Sequence, residues 1–239
     1  MIATYASGMW KTVDGGSNWT AVTTPLVSGA TWTTVSSSSD MSVIILAVGA
    51  KLYKSVDGGA NWTLIYNLWT DNMWTIVQVS GNGSVIAASN RNGSVDPQYS
   101  AILSTNGGTT FTYITQPNKI IMPYVHGGAN TIGMSNTGST IVWASAFGPL
   151  LYTTNTGTNW YRVSNHKYGQ WAGVGMSDSG SVALYGESYQ GGMYLSNGGP
   201  YNPRYLDASA SEQWKHVALS RNGTFAYAIN GDGIHAKTL

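Results

Sequence analysis

Three features of this 239-residue chain predict an all-β fold. Gly accounts for 30 residues, almost twice the usual share, while Glu occurs only as Glu187 and Glu212. Helix surfaces draw on Glu, Lys, Ala and Leu, so this balance disfavours helices. The 10 Trp and 15 Tyr are mixed with turn formers and β-branched residues, which marks many short strands. The third feature is an internal repeat of roughly 40–50 residues, the spacing of a propeller or another array of small sheets.

The first repeated motif reads Thr12-Val13-Asp14-Gly15-Gly16-Ser17-Asn18-Trp19 and returns as Ser55 to Trp62. Further copies run from Ser104 to Phe111 and from Thr153 to Trp160, and a worn copy starts at Ser196-Asn197-Gly198-Gly199. Its Asp/Asn positions are expected at 14, 57, 106, 155 and 197. A second motif, Ser-x-x-Gly-Ser/Thr, alternates with it from Ser80, Ser135, Ser177 and Ser220. A weaker copy at Ser38–Ser42 has Met41 in place of Gly. Both motifs have the composition of tight hairpin turns.

Each unit reads as four strands in order. Strand A carries Trp-x-x-Val, at Trp32, Trp74, Trp171 and Trp214. The Ser-x-x-Gly turn leads into strand B, such as Val43–Val48. Strand C precedes the Asp/Asn turn, as in Leu52–Ser55, and strand D follows it, as in Trp62–Tyr66. Four-stranded antiparallel units at this period are propeller blades. The chain is expected to be one β-propeller domain, 1–239, with five blades favoured and six as the alternative. In the five-blade reading the ring is closed by N- and C-terminal strands: the hairpin from Met9 to Thr23 completes a last blade whose A and B strands are Trp214–Leu219 and Phe225–Ile229.

The first motif resembles the Asp box, or BNR repeat, Ser/Thr-x-Asp-x-Gly-x-Thr-Trp, of the sialidase-like propellers. The resemblance is closest at residues 12–19 and 55–62, and Asn replaces Asp at 106 and 155. It implies a structural role for Asp14, Trp19, Asp57, Trp62, Asn106, Phe111, Asn155 and Trp160 in the turn between strands C and D. A short side-chain oxygen accepts backbone N–H bonds there, glycines supply positive φ, and the aromatic packs between sheets.

Composition also excludes functions. Only 9% of residues are charged, the net charge is +1, and there is no basic run, so nucleic acid is not the expected partner. The chain has no Cys, which removes disulfides, thiolate metal sites and Cys nucleophiles. The apolar run Val43–Val48 is far short of a bilayer span of about 20 residues, so no membrane insertion is expected. No signal peptide is visible in MIATYASG. The four His lack metal-ligand spacing and no cofactor motif occurs, so metal and cofactor are both expected to be none.

Similarity to a sialidase would imply an arginine triad around a carboxylate, a Tyr–Glu nucleophile pair and an acidic proton donor. The arginines are Arg91, Arg162, Arg204 and Arg221, and Arg221 falls in an A–B turn, on the face opposite the expected site. No pair of carboxylates is marked by spacing. The reading leans against an enzyme and assigns no catalytic residue.

The A–B and C–D turns share one face and are short and regular, so variation is expected on the face of the B–C and D–A connections. Two insertions of about six residues fall there, around 90–99 and 116–127. The candidate glycan-binding residues on this face are Trp69, Asp71, Arg91, Asp96, Tyr99, Tyr124, His126, Tyr168 and Glu187. Aromatics offer a stacking surface for the C–H face of a sugar, and planar polar groups bond its hydroxyls. The repeated Trp32, Trp74, Trp171 and Trp214 are read first as packing between blades. The preferred reading is a non-catalytic, lectin-like carbohydrate-binding propeller, placed outside the cell or on a virion. The alternative is a structural or adsorption protein of a virus particle or cell surface, and the third reading is a glycoside hydrolase.

Overall fold

The computed structural model describes residues 2–4, 8–22, 32–68, 73–90, 101–114, 129–145, 149–163, 169–189, 192–207 and 213–239. Among them there is no helix, and all regular structure is antiparallel sheet. The first sheet holds β1 (Ile2–Thr4), β2 (Gly8–Lys11) and β3 (Thr20–Val22). The second holds β4 (Trp32–Ser37), β5 (Ile44–Val48), β6 (Lys51–Ser55) and β7 (Thr63–Asn67). The third holds β8 (Trp74–Val79), β9 (Ile86–Asn90), β10 (Ala101–Ser104) and β11 (Thr112–Tyr113). The fourth holds β12 (Ala129–Met134), β13 (Ile141–Ser145), β14 (Leu150–Thr153) and β15 (Tyr161–Arg162). The fifth holds β16 (Trp171–Met176), β17 (Val182–Glu187), β18 (Met193–Asn197) and β19 (Arg204–Asp207). The sixth holds β20 (His216–Leu219), β21 (Phe225–Ile229) and β22 (Ile234–Thr238).

Each sheet is a meander of neighbouring strands, and consecutive sheets pack face to face as a β-propeller. Strands β4, β8, β12, β16 and β20 lie innermost, each against the next. Their turns interlock around the centre. Ser39 N–H donates to Gly81 O (2.9 Å), Asn136 N–H to Asp178 O (2.9 Å) and Asp178 N–H to Arg221 O (2.7 Å). The Ser39 hydroxyl bonds Asn136 Oδ1, and the Arg221 guanidinium reaches both Ser39 and Asp178. All five residues hold the second position of the Ser-x-x-Gly motif.

Apolar cores fill the gaps between sheets. Trp74 joins Ile45, Ala47 and Leu52 between the second and third sheets, and Trp171 joins Val142, Ala144 and Leu150 between the fourth and fifth. Trp214 packs with Leu184 and Met193 between the fifth and sixth. These indoles are buried, as expected of packing residues, and the side chain of Trp32 lies outside the described residues. A bulge follows the start of β4, β8, β12 and β16, where the strand shifts register by one residue. Bulges re-aim side chains, and Trp74 uses the turn to donate its indole N–H to Ala50 O.

Among the described residues the N-terminal hairpin pairs with β1, and β22 lies beside β21, so the described strands fall into six sheets of three or four strands. No ladder joins the two terminal sheets among the described residues. The structure corrects the sequence expectation for the worn turn. Ser55 pairs with Ile44, Ser104 with Ile86, Thr153 with Ile141 and Ser196 with Ala183. Ser196 is therefore the hydroxyl position, and Gly198, not Asn197, stands where the others have Asp or Asn. With no acceptor there, Ser196 donates instead to Gly199 O.

Candidate functional site

The C–D turns are built alike. Asp14, Asp57, Asn106 and Asn155 each place Oδ1 at 2.9 Å from the backbone N–H four residues on. A hydroxyl two residues earlier accepts from the second turn glycine: Gly16 to Thr12, Gly59 to Ser55, Gly108 to Ser104 and Gly157 to Thr153. The backbone N–H and amide of Asn18 hold the Asp14 carboxyl down to about 2, and Asn61 does the same for Asp57. Trp160 is buried, Trp62 and Phe111 are half-buried and Trp19 is exposed. On this face the polar groups of the turns are spent on the chain itself.

The opposite face carries the B–C and D–A connections. Of the predicted binding residues, Trp69, Asp71, Arg91, Asp96, Tyr99, Tyr124, His126 and Tyr168 lie outside the described residues. Glu187 lies within them, at the end of β17, and is only 7% exposed. Its N–H donates to Gly192 O (2.9 Å), which closes the B–C connection. Ser188 ties that connection to the neighbouring D–A segment, giving both its N–H (2.7 Å) and its hydroxyl (3.0 Å) to Gln170 O. A Cβ at Gly169 would stand 3.0 Å from Glu187 Oε1, so the chain entering β16 runs directly against the carboxyl.

Two tyrosines complete the cluster. The Tyr194 hydroxyl donates to Glu187 Oε2 at 3.4 Å and lies 2.8 Å from the Tyr205 hydroxyl. The rings of Tyr194 and Tyr205 are 4.4 Å apart, and Trp171 meets Tyr194 edge to face at 6.0 Å. Tyr205 is 66% exposed, so the cluster runs from a buried carboxyl to an open ring. Burial pushes the Glu187 carboxyl above the usual range, and the Tyr194 hydroxyl opposes this in part. Burial and the Tyr205 bond raise Tyr194 as well. No second carboxylate perturbs Glu187, and no metal-binding group of His, Asp and Glu occurs, among the described residues. The arrangement offers hydroxyl and carboxyl groups for hydrogen bonding beside an aromatic surface.

Sequence reasoning reached Glu187 through the arithmetic of the faces and missed Tyr194 and Tyr205. The missed signal is cross-strand: these residues face each other across the ladder of β18 and β19, next to a register shift.

No protein-family model matches the chain, and no curated protein does. Solved structures do match. A YCF48 protein bound to a D1 peptide shares 19% identity at a TM-score of 0.59, over 87% of this chain and 63% of that one. The GH74 xyloglucanase of Xanthomonas campestris shares 16% at 0.61, over 83% of this chain and 35% of that one. A chain of a nidogen/laminin complex shares 12% at 0.61, over 92% and 80%. The chain thus spans under two thirds of the first two structures. At these identities the likeness is one of fold, and it supports the propeller. No helix among the described residues is long and apolar enough to cross a membrane.

Proposed function

We propose that this protein is a non-catalytic, lectin-like propeller that binds a neutral glycan on the face of the B–C and D–A connections. The cluster of Glu187, Tyr194 and Tyr205 carries this reading. An exposed phenol ring suits the C–H face of a pyranose. The inner carboxyl and hydroxyl offer hydrogen bonds to sugar oxygens, and burial shifts the carboxyl toward its neutral form, which can donate as well as accept. Among the described residues no second carboxylate perturbs Glu187, as the paired carboxylates of glycoside hydrolysis would. Glycans displayed on a cell or particle surface are the natural setting for such a protein. The xyloglucanase activity of one fold-mate does not pass to this chain at 16% identity.

The test is a broad glycan array, read for bound protein and for loss of printed sugar. The wild type is expected to bind a neutral glycan. Tyr205→Ala, and Tyr124→Ala in the longer D–A insertion, are expected to remove binding while the melting temperature holds. Loss of a printed sugar would establish hydrolysis instead. Absence of binding to every glycan would overturn the reading in favour of a structural or adsorption role.

A further inference from the structure

The chain has no Cys, so no disulfide ties one sheet to the next. Its tyrosines offer a different covalent chemistry. Tyr66 lies in β7, the outermost strand of the second sheet, and Tyr113 lies in β11, the outermost strand of the third. The Tyr66 ring leans across the seam between these sheets. It meets Phe111 edge to face at 5.1 Å and Trp74 at 5.7 Å, and both belong to the third sheet or its C–D turn. The Tyr66 hydroxyl then donates to the Tyr113 hydroxyl at 3.0 Å. Tyr66 is half-buried and Tyr113 is 39% exposed, so an oxidant reaches the pair from the side of Tyr113. Burial, and after it the bond to Tyr113, raise the Tyr66 phenol above its ordinary value, so it keeps its proton at neutral pH.

Two hydroxyls this close have a chemical consequence. A phenol that loses one electron and one proton becomes a radical whose spin lies on oxygen and on the ring carbons ortho and para to it. In tyrosine the para carbon carries the side chain, so coupling falls to the ortho carbons. A hydrogen bond between two phenols brings those carbons to the same side, because the coupled product also holds its two hydroxyls side by side. Tyr194 and Tyr205 share this contact at 2.8 Å, but both lie in the fifth sheet. Tyr152 and Tyr161 differ: their rings are 5.6 Å apart, and no hydrogen bond joins their hydroxyls among the described residues.

We propose that Tyr66 and Tyr113 form an oxidative cross-linking site that staples the second sheet to the third. The co-reactant is hydrogen peroxide, activated by a haem peroxidase. Each phenol gives up one electron and one proton, and the peroxide takes these up and becomes two waters. A carbon–carbon bond forms between the two ortho carbons. The hydrogen on each of those carbons moves to its phenol oxygen, which restores both hydroxyls and both aromatic rings. The product is the parent chain less two hydrogens. The staple closes a loop spanning 47 positions and so restricts the unfolded chain.

The test exposes the full folded chain to a haem peroxidase and limiting hydrogen peroxide, and reads digested peptides by mass spectrometry. The oxidised monomer is expected to yield peptides joined through Tyr66 and Tyr113, with the fluorescence of a coupled phenol pair, in clear excess over any Tyr152–Tyr161 link. Its melting temperature should rise by about 4–16 °C, the range for a cross-link over a loop of this order in a chain of this size. Tyr66→Phe and Tyr113→Phe keep each ring and remove its hydroxyl, and each should abolish the link. The wild-type digest decides the matter if either variant fails to fold. Absence of the Tyr66–Tyr113 link from the oxidised monomer overturns the proposal. So does a Tyr152–Tyr161 link formed as readily, or coupling that appears only between chains as covalent dimers.

Discussion

Replacing Ser104 by Ala tests how the C–D turns are held. The Ser104 side chain is buried, and its Oγ accepts the buried Gly108 N–H at 2.9 Å while donating to Asn106 Oδ1 at 2.9 Å. Alanine removes the hydroxyl and almost no volume, so no cavity cost arises. A buried N–H is left without its acceptor, which costs about 1–3 kcal/mol. A chain of this size loses about 2–4 °C of melting temperature per kcal/mol, so a fall of about 2–12 °C is expected by circular dichroism. Ser104→Thr is the control. Thr12 and Thr153 already make the same bond to Gly16 and Gly157 at 2.9 and 3.0 Å, so this variant should melt within about 0.5 kcal/mol of the wild type. If Ser104→Ala melts with the wild type, the hydroxyl does not hold the turn.

Three further outcomes follow from the same geometry. Thr156 stands at φ 54° where the equivalent Gly15, Gly58 and Gly107 stand near 70°, a left-handed conformation that costs a side-chain-bearing residue about 1–2 kcal/mol. Thr156→Gly should raise the unfolding free energy by up to about 1 kcal/mol after the unfolded-state entropy of glycine is subtracted, and a lower urea midpoint refutes the strain. Asp14 and Asp57 are lowered from 3.8 to about 2 by their turns, so the stability they confer is complete above the unfolded value and is lost as pH falls from there through about 2. Asp57→Asn, which copies the Asn106 turn, should flatten that acid limb of the melting curve, and an unchanged limb counts against it. Glu187 is raised above its unfolded 4.5, so its contribution is complete below that pH and is lost as pH rises through the folded value. Glu187→Gln should therefore gain stability over the wild type at alkaline pH and not at acid pH, and a pH-independent difference would refute the shift.

What was legible in the sequence was local. Each C–D turn needs an oxygen at one position, a hydroxyl two residues earlier and glycines after it, and all of these fall within a few residues. Met41 in the weak copy of the second motif still takes φ 60°, beside 75° at Gly83, because the turn dictates the backbone. What was not legible depends on pairing. β22, a few residues away, stands beside β21, and the short loop between them costs little to close. The shift of the worn turn from Asn197 to Gly198 shows only in the register of β17 with β18. Tyr205 reaches Glu187 through Tyr194 by a cross-strand contact that no spacing along the chain encodes.

The two faces of the propeller differ for a physical reason. On the turn face the carboxylates, hydroxyls and amides bond within their own turns, and the central residues bond one another. A ligand arriving there would have to break an existing bond for each one it made. On the other face Glu187 is buried beside Gly169, accepts a hydrogen bond of 3.4 Å from Tyr194, and is held back from ionising by that burial. Such a group lowers the stability of the empty protein near neutral pH, a cost that structure alone does not require, since glutamine would fill the same space. On the proposed reading, a glycan hydroxyl supplies a further bond to this carboxyl beside the exposed ring of Tyr205.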